Sequence, residues 1–190
     1  VPSVVEECGQ AGIGSIVIIS AGFSEIGEEG HILEEQIRET AHKYSMRIMG
    51  PNCLGFIKPS LNLNASFANK MALPGKIAFI SQSGALCTAI LDWSIKHNVG
   101  FSHFVSIRSM IDISFDDLID YFGNDPNTSS ILIYMESLKN ARRFMSAARA
   151  FSRTKPILVL KVGKSAEGAQ AAKSHTGSIA GNDSVYDAAF

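Results

Sequence analysis

The residue best placed to do chemistry is a histidine in a glycine-flanked segment. His175 lies in AKSHTGSIAG, residues 172–181, among small and hydroxyl-bearing side chains. From 162 to 181 the large apolar side chains are Val162 and Ile179 alone, so little there would bury an imidazole. A lone histidine is most often an exposed loop residue, but a neutral imidazole nitrogen is also a nucleophile. Basic residues nearby suit a phosphate: Lys161, Lys164 and Lys173.

The composition predicts a soluble, cytoplasmic α/β protein. The 190 residues are 46% hydrophobic and 18% charged with a net charge of -1, which indicates neither a nucleic-acid nor a membrane partner. No apolar run approaches the ~20 residues of a membrane-spanning helix.

The cysteines predict neither a disulfide framework nor a metal site. Cys8, Cys53 and Cys87 are odd in number and lack CxxC spacing, so we interpret them as reduced packing thiols. Cys53 lies in a turn where a catalytic thiol is conceivable, but no histidine is close in sequence to activate it.

Repeated strand–loop–helix units organise the chain. Apolar, β-branched runs are each followed by small or polar residues, which predicts a parallel sheet covered on both faces, with ligands at the carboxyl ends of its strands. The predicted strands are 15–19, 76–80, 101–107, 130–134 and 156–160.

Helices are predicted between the strands from apolar periodicity and end signals. Ser114 and Asp117 form a capping-box pattern that opens a helix over 115–122, and Asn140 is the expected cap of a helix over 141–151. Further helices are expected at 4–10, 34–44 and 84–97.

The stretch 62–75, ending in Leu-Pro-Gly, has little regular periodicity and is the expected linker. It divides the chain into a partial domain, 1–70, and a second domain, 74–190. Since the first part holds only half of a doubly wound domain and the last residues stop within a helical pattern, we expect an excerpt of a longer polypeptide.

Five motifs, in order along the chain, resemble the nucleoside-diphosphate-forming acyl-CoA synthetases, the superfamily of ADP-forming acetate–CoA ligase and the succinyl-CoA synthetase α subunit. They are ISAGF at 19–23, GPNCLG at 50–55, GKI through SQSG at 75–84, YMES at 134–137 and SHTG at 174–177. The segments 141–155 and 183–190 are most similar to large bacterial fused members.

The resemblance implies the C-terminal half of a Rossmann-like CoA-binding domain, followed by a flavodoxin-like parallel-sheet ligase domain with a phosphohistidine loop at 162–181. The implied reaction converts an acid, CoA and ATP to acyl-CoA, ADP and phosphate. ATP, ADP and Mg would be bound mainly by an ATP-grasp domain or subunit outside this chain. The other implied partners are a small carboxylic acid, further copies of the protein and, in fused relatives, an acetyltransferase domain.

The resemblance assigns His175 as the phosphoryl carrier and Glu136 as the carboxylate that orients it. Ser83 and Gly84 begin the helix after strand 76–80, where free amides and the helix dipole suit a phosphoryl group. Without the resemblance, Glu136 is an ordinary helix-start acid and SxSG an ordinary helix start. Ser137 is expected to face the phosphoryl group from the opposite side, and Gly177 to give the loop its mobility and contact with phosphate.

For CoA the resemblance assigns Ser20, Ala21 and Gly22 in one loop and Asn52 in another. The same residues are also plain turn formers. The glycine-rich first turn expected to bind the CoA nucleotide is not in this sequence.

Arg108 differs from the pattern of the family that the chain resembles, in which glycine usually follows the FVSI motif. An arginine there is either strained, directed at an anion, or exposed in a tolerant loop. Thr88, near the expected acyl pocket, is compatible with a small acid.

Two functions fit these residues. One is the ligase; the alternative is a CoA-binding regulatory portion of a fused protein-lysine acetyltransferase. The presence of both His175 and Glu136 favours the enzyme. A flavodoxin-like or dinucleotide-binding domain is disfavoured, since the chain has no GxGxxG motif.

Overall fold

Two β-sheets organise residues 1–162, the part of the chain that the structure, a computed structural model, describes. The first is a two-stranded parallel sheet, in which Ile16 pairs with Ile48. Its elements are helix α1 Pro2–Gln10, strand β1 Ser15–Val17, helix α2 Glu28–Lys43 and strand β2 Arg47–Met49.

The second sheet has six strands in the order β4-β3-β6-β5-β7-β8. Strands β5 to β8 are parallel, whereas β3 and β4 form an antiparallel hairpin that joins at β6. The strands are β3 Gly55–Lys58, β4 Leu63–Ser66, β5 Pro74–Ser81, β6 Phe101–Ser106, β7 Ser130–Met135 and β8 Ile157–Lys161. The helices are α3 Gly84–Lys96, α4 Phe115–Asn124 and α5 Ala141–Phe151.

The chain reverses direction across the sheet at β5, which pairs with β6 on one side and β7 on the other. Helix α3 follows β5 and leads to β6, and α4 then leads back to β7. In open α/β sheets such a reversal opens a crevice at the carboxyl ends of the strands. The residues that follow β5, β6 and β7 therefore meet at one edge.

Side chains alternate across β5 and build a core on each face of the sheet. Phe79 packs in a cluster with Cys87 and Leu91 of α3, whereas Ile80 packs in a cluster with Phe122 and Phe144 of α4 and α5. This period of two is the ordinary consequence of strand pleating. Within residues 1–162 no helix is both long enough and apolar enough to cross a membrane.

The hairpin of β3 and β4 adds two antiparallel strands, which the sequence analysis did not predict, to the predicted parallel sheet. Strand β4 lies inside the stretch 62–75 that the sequence predicts as a linker, and β3 lies just before it. Gly55 makes this packing possible: its φ is +105°, and a Cβ there would lie 2.2 Å from the Ala65 carbonyl oxygen. The hairpin precedes residues 70–74 in the chain, where the sequence predicts the division between two domains, and it pairs with β6, which follows them. The domain division itself stays a prediction.

Helix α2 begins at Glu28, six residues before the expected start at Glu34. Gly27, with φ of +97°, turns the chain into the helix, and Glu28 and Glu29 lie in its first turn. The helix dipole favours carboxylates in the first turn. Because these residues are not apolar, the apolar periodicity used to predict the helix does not detect them. Strand β1, in contrast, ends two residues before the predicted Ile19.

The helix caps agree with the predictions. The backbone N–H of Ser114 donates to Asp117 Oδ2 at 3.0 Å and the capping box is present. Asn140 Oδ1 accepts from the backbone N–H of Arg143 at 3.0 Å at the start of α5.

Asp112 joins the small sheet to the segment after β6. Its carboxylate accepts from the backbone N–H of Ile48 at 2.7 Å and from Arg47 Nε at 2.9 Å. Two backbone bonds continue the contact, from Ile111 N to Gly50 O at 3.3 Å and from Ile113 N to Ile48 O at 3.1 Å. The loops after β2 and β6 are thus held against each other at the edge that carries the candidate site.

Candidate active site

Gln82 lies directly after β5 and holds the turn that follows β7. Its Oε1 accepts from the backbone N–H of Glu136 at 2.6 Å and of Ser137 at 2.9 Å. Its Nε2 donates to Ser137 Oγ at 3.2 Å, and its own backbone N–H donates to Tyr134 O at 3.2 Å. The side chain is buried. Sequence reasoning missed Gln82, whose only signal was an amide side chain inside the SQSG motif at the end of an apolar strand.

Glu136 presents a carboxylate oxygen that has no hydrogen-bond donor among the described residues. The residue is 8% exposed, and its Oε2 is buried and unpartnered. Such atoms are rare because an unsatisfied buried polar group costs free energy. The helix-start interpretation of Glu136 is wrong, because α5 begins only at Ala141. This oxygen is therefore available to accept a hydrogen bond from a group that enters the site.

Glu136 and Ser137 line a cavity of about 350 Å³, hereafter the first cavity. Both signs of charge line it, including Glu25, Arg38 and Arg108. Because Gln82 already holds the Ser137 backbone N–H, the group that Ser137 can offer a ligand is its hydroxyl, whose oxygen accepts from Gln82 Nε2.

Ser83 and Gly84 open helix α3 toward free space. Ser83 is the N-cap, and its Oγ accepts from the backbone N–H of Leu86 at 3.3 Å, which leaves its hydroxyl proton to donate. A Cβ at Gly84 would meet no atom within 4 Å. The first amides of a helix have no partner within the helix and carry its positive dipole end, so this start can receive an anion.

A second cavity of about 340 Å³ lies in front of this helix start. Its lining includes Ser83, Gly84, Asn52, Thr88 and Arg108. The structure therefore separates the predicted phosphate ligands between two cavities, and Arg108 lines both.

The two predicted CoA loops are in contact. The backbone N–H of Asn52 donates to the Ser20 carbonyl at 3.0 Å. Gly22, with φ of +98°, donates its N–H to Glu25 Oε1 at 2.6 Å. Ser20 and Ala21 are exposed, whereas Asn52 is half-buried at the second cavity. Of the four predicted CoA residues, Asn52 is thus brought to the same cavity as Ser83 and Gly84.

Glu25 is a further residue that sequence reasoning missed. Burial raises the pKa of its carboxyl, but hydrogen bonds from backbone N–H groups, including that of Gly22, and from the Asn52 side chain outweigh burial and hold the pKa below its ordinary value. The carboxylate holds the Gly22 turn through Oε1, whereas its Oε2 is buried without a hydrogen-bond partner among the described residues.

The comparisons with known proteins agree with this architecture. Residues 74–190 match the family described as the succinyl-CoA ligase like flavodoxin domain. The chain belongs to this family.

Two curated relatives match the whole length of the chain. It is 53% identical over 190 residues to the α subunit of acetate–CoA ligase [ADP-forming] I from Pyrococcus furiosus, covering 100% of this chain and 41% of the relative. It is 49% identical over 190 residues to acetate–CoA ligase [ADP-forming] from Methanocaldococcus jannaschii, covering 100% of this chain and 27% of the relative. The chain thus spans less than half the length of these relatives.

A solved structure shares the fold closely. It is the dinucleotide-forming acetyl-coenzyme A synthetase 1 of Candidatus Korarchaeum cryptofilum, in complex with phosphate and ADP. The TM-score is 0.93 at 44% identity, covering 99% of this chain and 40% of that one. The mixed α/β fold with a flavodoxin-like ligase domain is therefore confirmed.

Cys53 and Cys87 are buried in surroundings that disfavour the thiolate form. Burial raises the pKa of the Cys53 thiol to about 11 and that of Cys87 to about 12. Both are free and buried, as the packing interpretation predicts. In residues 1–162, no group of three or more His, Cys, Asp or Glu side chains is arranged to hold a metal ion.

His175 and Gly177 lie outside the described residues, and their roles stay predictions. The last described strand, β8, ends at Lys161, which pairs with Met135 of β7. Glu136 directly follows Met135.

Proposed function

We propose that this chain is the CoA-binding and phosphohistidine part of an ADP-forming acid–CoA ligase. His175 attacks the terminal phosphorus of ATP, and ADP leaves. The phosphoryl group then passes from the histidine to the carboxylate of the acid, which gives an acyl phosphate. The CoA thiol finally attacks the acyl carbon, forms the thioester and displaces phosphate.

The observation that carries the proposal is the buried, unpartnered Oε2 of Glu136 at the edge where helix α3 opens. A phosphoryl-accepting imidazole needs one neutral nitrogen as nucleophile and an acceptor on the N–H of the other nitrogen, which fixes the tautomer. We assign this acceptor to Glu136. The relatives named as ADP-forming acetate–CoA ligases support the class of reaction.

The described residues fit a phosphate. The helix start at Gly84 faces open space, and both Ser83 and Ser137 retain a hydroxyl proton. We assign Ser83 and Gly84 to the phosphoryl oxygens of a group in the second cavity, and Ser137, with Gly177 on the histidine loop, to those of a group in the first. Preorganised donors of this kind stabilise the charge of a transferring phosphoryl group.

For CoA we propose the loop of Ser20, Ala21 and Gly22 together with Asn52. A Cβ at Gly22 would meet no atom within 4 Å, so the loop presents open backbone to a ligand. Asn52 lines the second cavity with Ser83 and is therefore the residue we place nearest the thiol end.

The remaining components are proposed from the family resemblance. The Pyrococcus relative is named an α subunit, which supports a partner subunit for this chain, and we propose that this partner supplies an ATP-grasp domain for ATP, ADP and Mg. We further propose a small carboxylic acid substrate, a homo-oligomer of the assembled enzyme, and the cytoplasm as its compartment. The acetyltransferase-linked alternative finds no support in the relatives.

The test is phosphorylation of the full-length protein, with its partner, by radiolabelled ATP and Mg. We expect an acid-labile, base-stable label on the protein that is discharged by an acid plus CoA, with formation of acyl-CoA. An intact, nucleotide-binding protein that takes up no such label would contradict the proposal.

Gln82 offers a second prediction, because it holds Glu136 by its backbone. Gln82→Leu leaves the buried N–H of Glu136 and the part-buried N–H of Ser137 without their acceptor, which we expect to lower the free energy of unfolding by about 2–4 kcal/mol. A displaced carboxylate is expected to slow single-turnover phosphorylation about 100-fold in the folded fraction. Thermal unfolding and rapid-quench labelling measure the two effects.

The matched control is Gln36→Leu on the exposed side of α2. We expect it to change neither quantity. Equal phosphorylation rates in Gln82→Leu and wild type would show that the clamp does not position Glu136.

A further inference from the structure

Arg108 holds a backbone conformation that arginine rarely adopts. It lies two residues after the end of β6 and has φ of +28°, in the left-handed region that favours glycine. A non-glycine residue there costs of the order of 1 kcal/mol or more and persists only where the surroundings enforce it. Such outliers concentrate at functional sites, so the side chain of Arg108 needs an explanation.

Contacts from three elements enforce this bend. Before it, the backbone N–H of Ile107 donates to Ser81 O at 3.0 Å. After it, Lys139 Nζ donates to Ser109 O at 2.6 Å, and the backbone N–H of Ile111 donates to Gly50 O at 3.3 Å. The segment is therefore fixed between the ends of β5, β7 and β2.

The bend places Arg108 where two cavities meet. In the first cavity it lies with Glu136 and Ser137. In the second it lies with Ser83 and Gly84 and is the one charged residue among the described residues that line it. Much of the remaining lining of the second cavity is apolar, including Ile19, Leu54 and Phe67.

The second cavity can bind an anion whose negative charge exceeds the positive charge that the start of helix α3 supplies. Helix α3 supplies the equivalent of about half a positive charge at Gly84. A phosphoryl group carries close to two negative charges, and an acyl phosphate places it beside a carbonyl. A guanidinium adds a full positive charge and can bind two phosphoryl oxygens at once.

We propose that Arg108 is a substrate-binding residue of this chain, which pairs with the phosphoryl oxygens of phosphate and of the acyl phosphate in the second cavity. This identity of the ligand rests on the proposed function. The apolar lining then receives the carbon chain of the acid, while Arg108 and the start of α3 hold the anionic end.

The variants separate binding from stability. Arg108→Gly removes the guanidinium and relieves the left-handed backbone, so we expect the midpoint of thermal unfolding to stay constant or rise. In the reverse reaction, from acyl-CoA, ADP and phosphate, we expect KM for phosphate to rise about tenfold or more. Arg108→Lys keeps the charge but not the bidentate geometry and is expected to lie between the two. Arg38→Ala, which removes an arginine of the first cavity, is the control.

A second measurement does not depend on catalysis. In the full-length wild-type protein, inorganic phosphate is expected to protect Arg108 from modification by phenylglyoxal, as mapped by mass spectrometry, without protecting Arg38. Protection in a protein that forms no phosphohistidine would support the anion site while contradicting the proposed function.

Three outcomes would overturn the assignment of Arg108. One is unchanged KM for phosphate in both Arg108 variants of an enzyme that still forms phosphohistidine. Another is an absence of phosphate protection. The third is a rise in KM for the acid alone, which would mean that the guanidinium binds the substrate carboxylate and not the phosphoryl group.

Discussion

Replacing His175 with alanine is expected to abolish the acid-labile phosphoprotein and to lower the rate of acyl-CoA formation by at least about 10⁴-fold. Removal of a covalent nucleophile leaves only the binding contributions of a site, and losses of this size or larger follow in other enzymes. The segment 172–181 is polar and rich in small residues, so the variant is expected to keep the thermal unfolding midpoint of the wild type. Labelling with radioactive ATP and Mg, followed by coupled acyl-CoA assay, measures both effects.

His97→Ala is the matched control for this loss. His97 is an exposed residue at the C-cap of α3, at the opposite end of that helix from Ser83. It is expected to label like wild type. A base-stable label that survives in His175→Ala would place the phosphoryl group on another residue and remove His175 from the mechanism.

Much of the larger sheet was predictable because its parallel strands are continuous apolar segments of the sequence. Strands β5 to β8 follow each other with a helix after each loop, and apolar runs of that kind are visible without tertiary information. The hairpin of β3 and β4 was not, because its pairing is set by Gly55, whose close approach to Ala65 is a tertiary contact. The first turn of α2 was missed because acidic residues stabilise it through the dipole and contribute no apolar stripe.

The candidate site was predictable in its residue types and less so in its arrangement. The motifs point to Glu136, Ser83 and Gly84, and the strand order brings their loops to one edge. Gln82 ties the turn of Ser137 to the end of β5, yet Ser137 and Ser83 line different cavities. That clamp joins residues more than fifty positions apart, so no local pattern reports it.

Glu136→Gln is expected to slow phosphohistidine formation by about 10²- to 10⁴-fold while the fold is retained. The variant keeps the size of the side chain, and its backbone stays bound to Gln82. The side-chain amide introduced by Glu136→Gln can nevertheless donate an N–H to the imidazole, and the histidine then adopts the wrong tautomer. Substitutions that disturb a histidine's tautomer in this way lower the reaction rate by factors at the upper end of this range. Since Oε2 has no donor among the described residues, we expect no loss of stability when the charge is removed.

The contrast with two related variants makes this prediction specific. Glu35→Gln removes a carboxylate that lines the same first cavity but pairs with Arg38 on the exposed surface of α2, so it is expected to phosphorylate at the wild-type rate. Glu136→Asp keeps the charge but withdraws it by one methylene and is expected to fall between the wild type and Glu136→Gln. Single-turnover labelling, together with thermal unfolding, distinguishes these cases. Equal losses in Glu35→Gln and Glu136→Gln would mean that the cavity acts through its overall charge, whereas a loss confined to Glu136 identifies the carboxylate that orients His175.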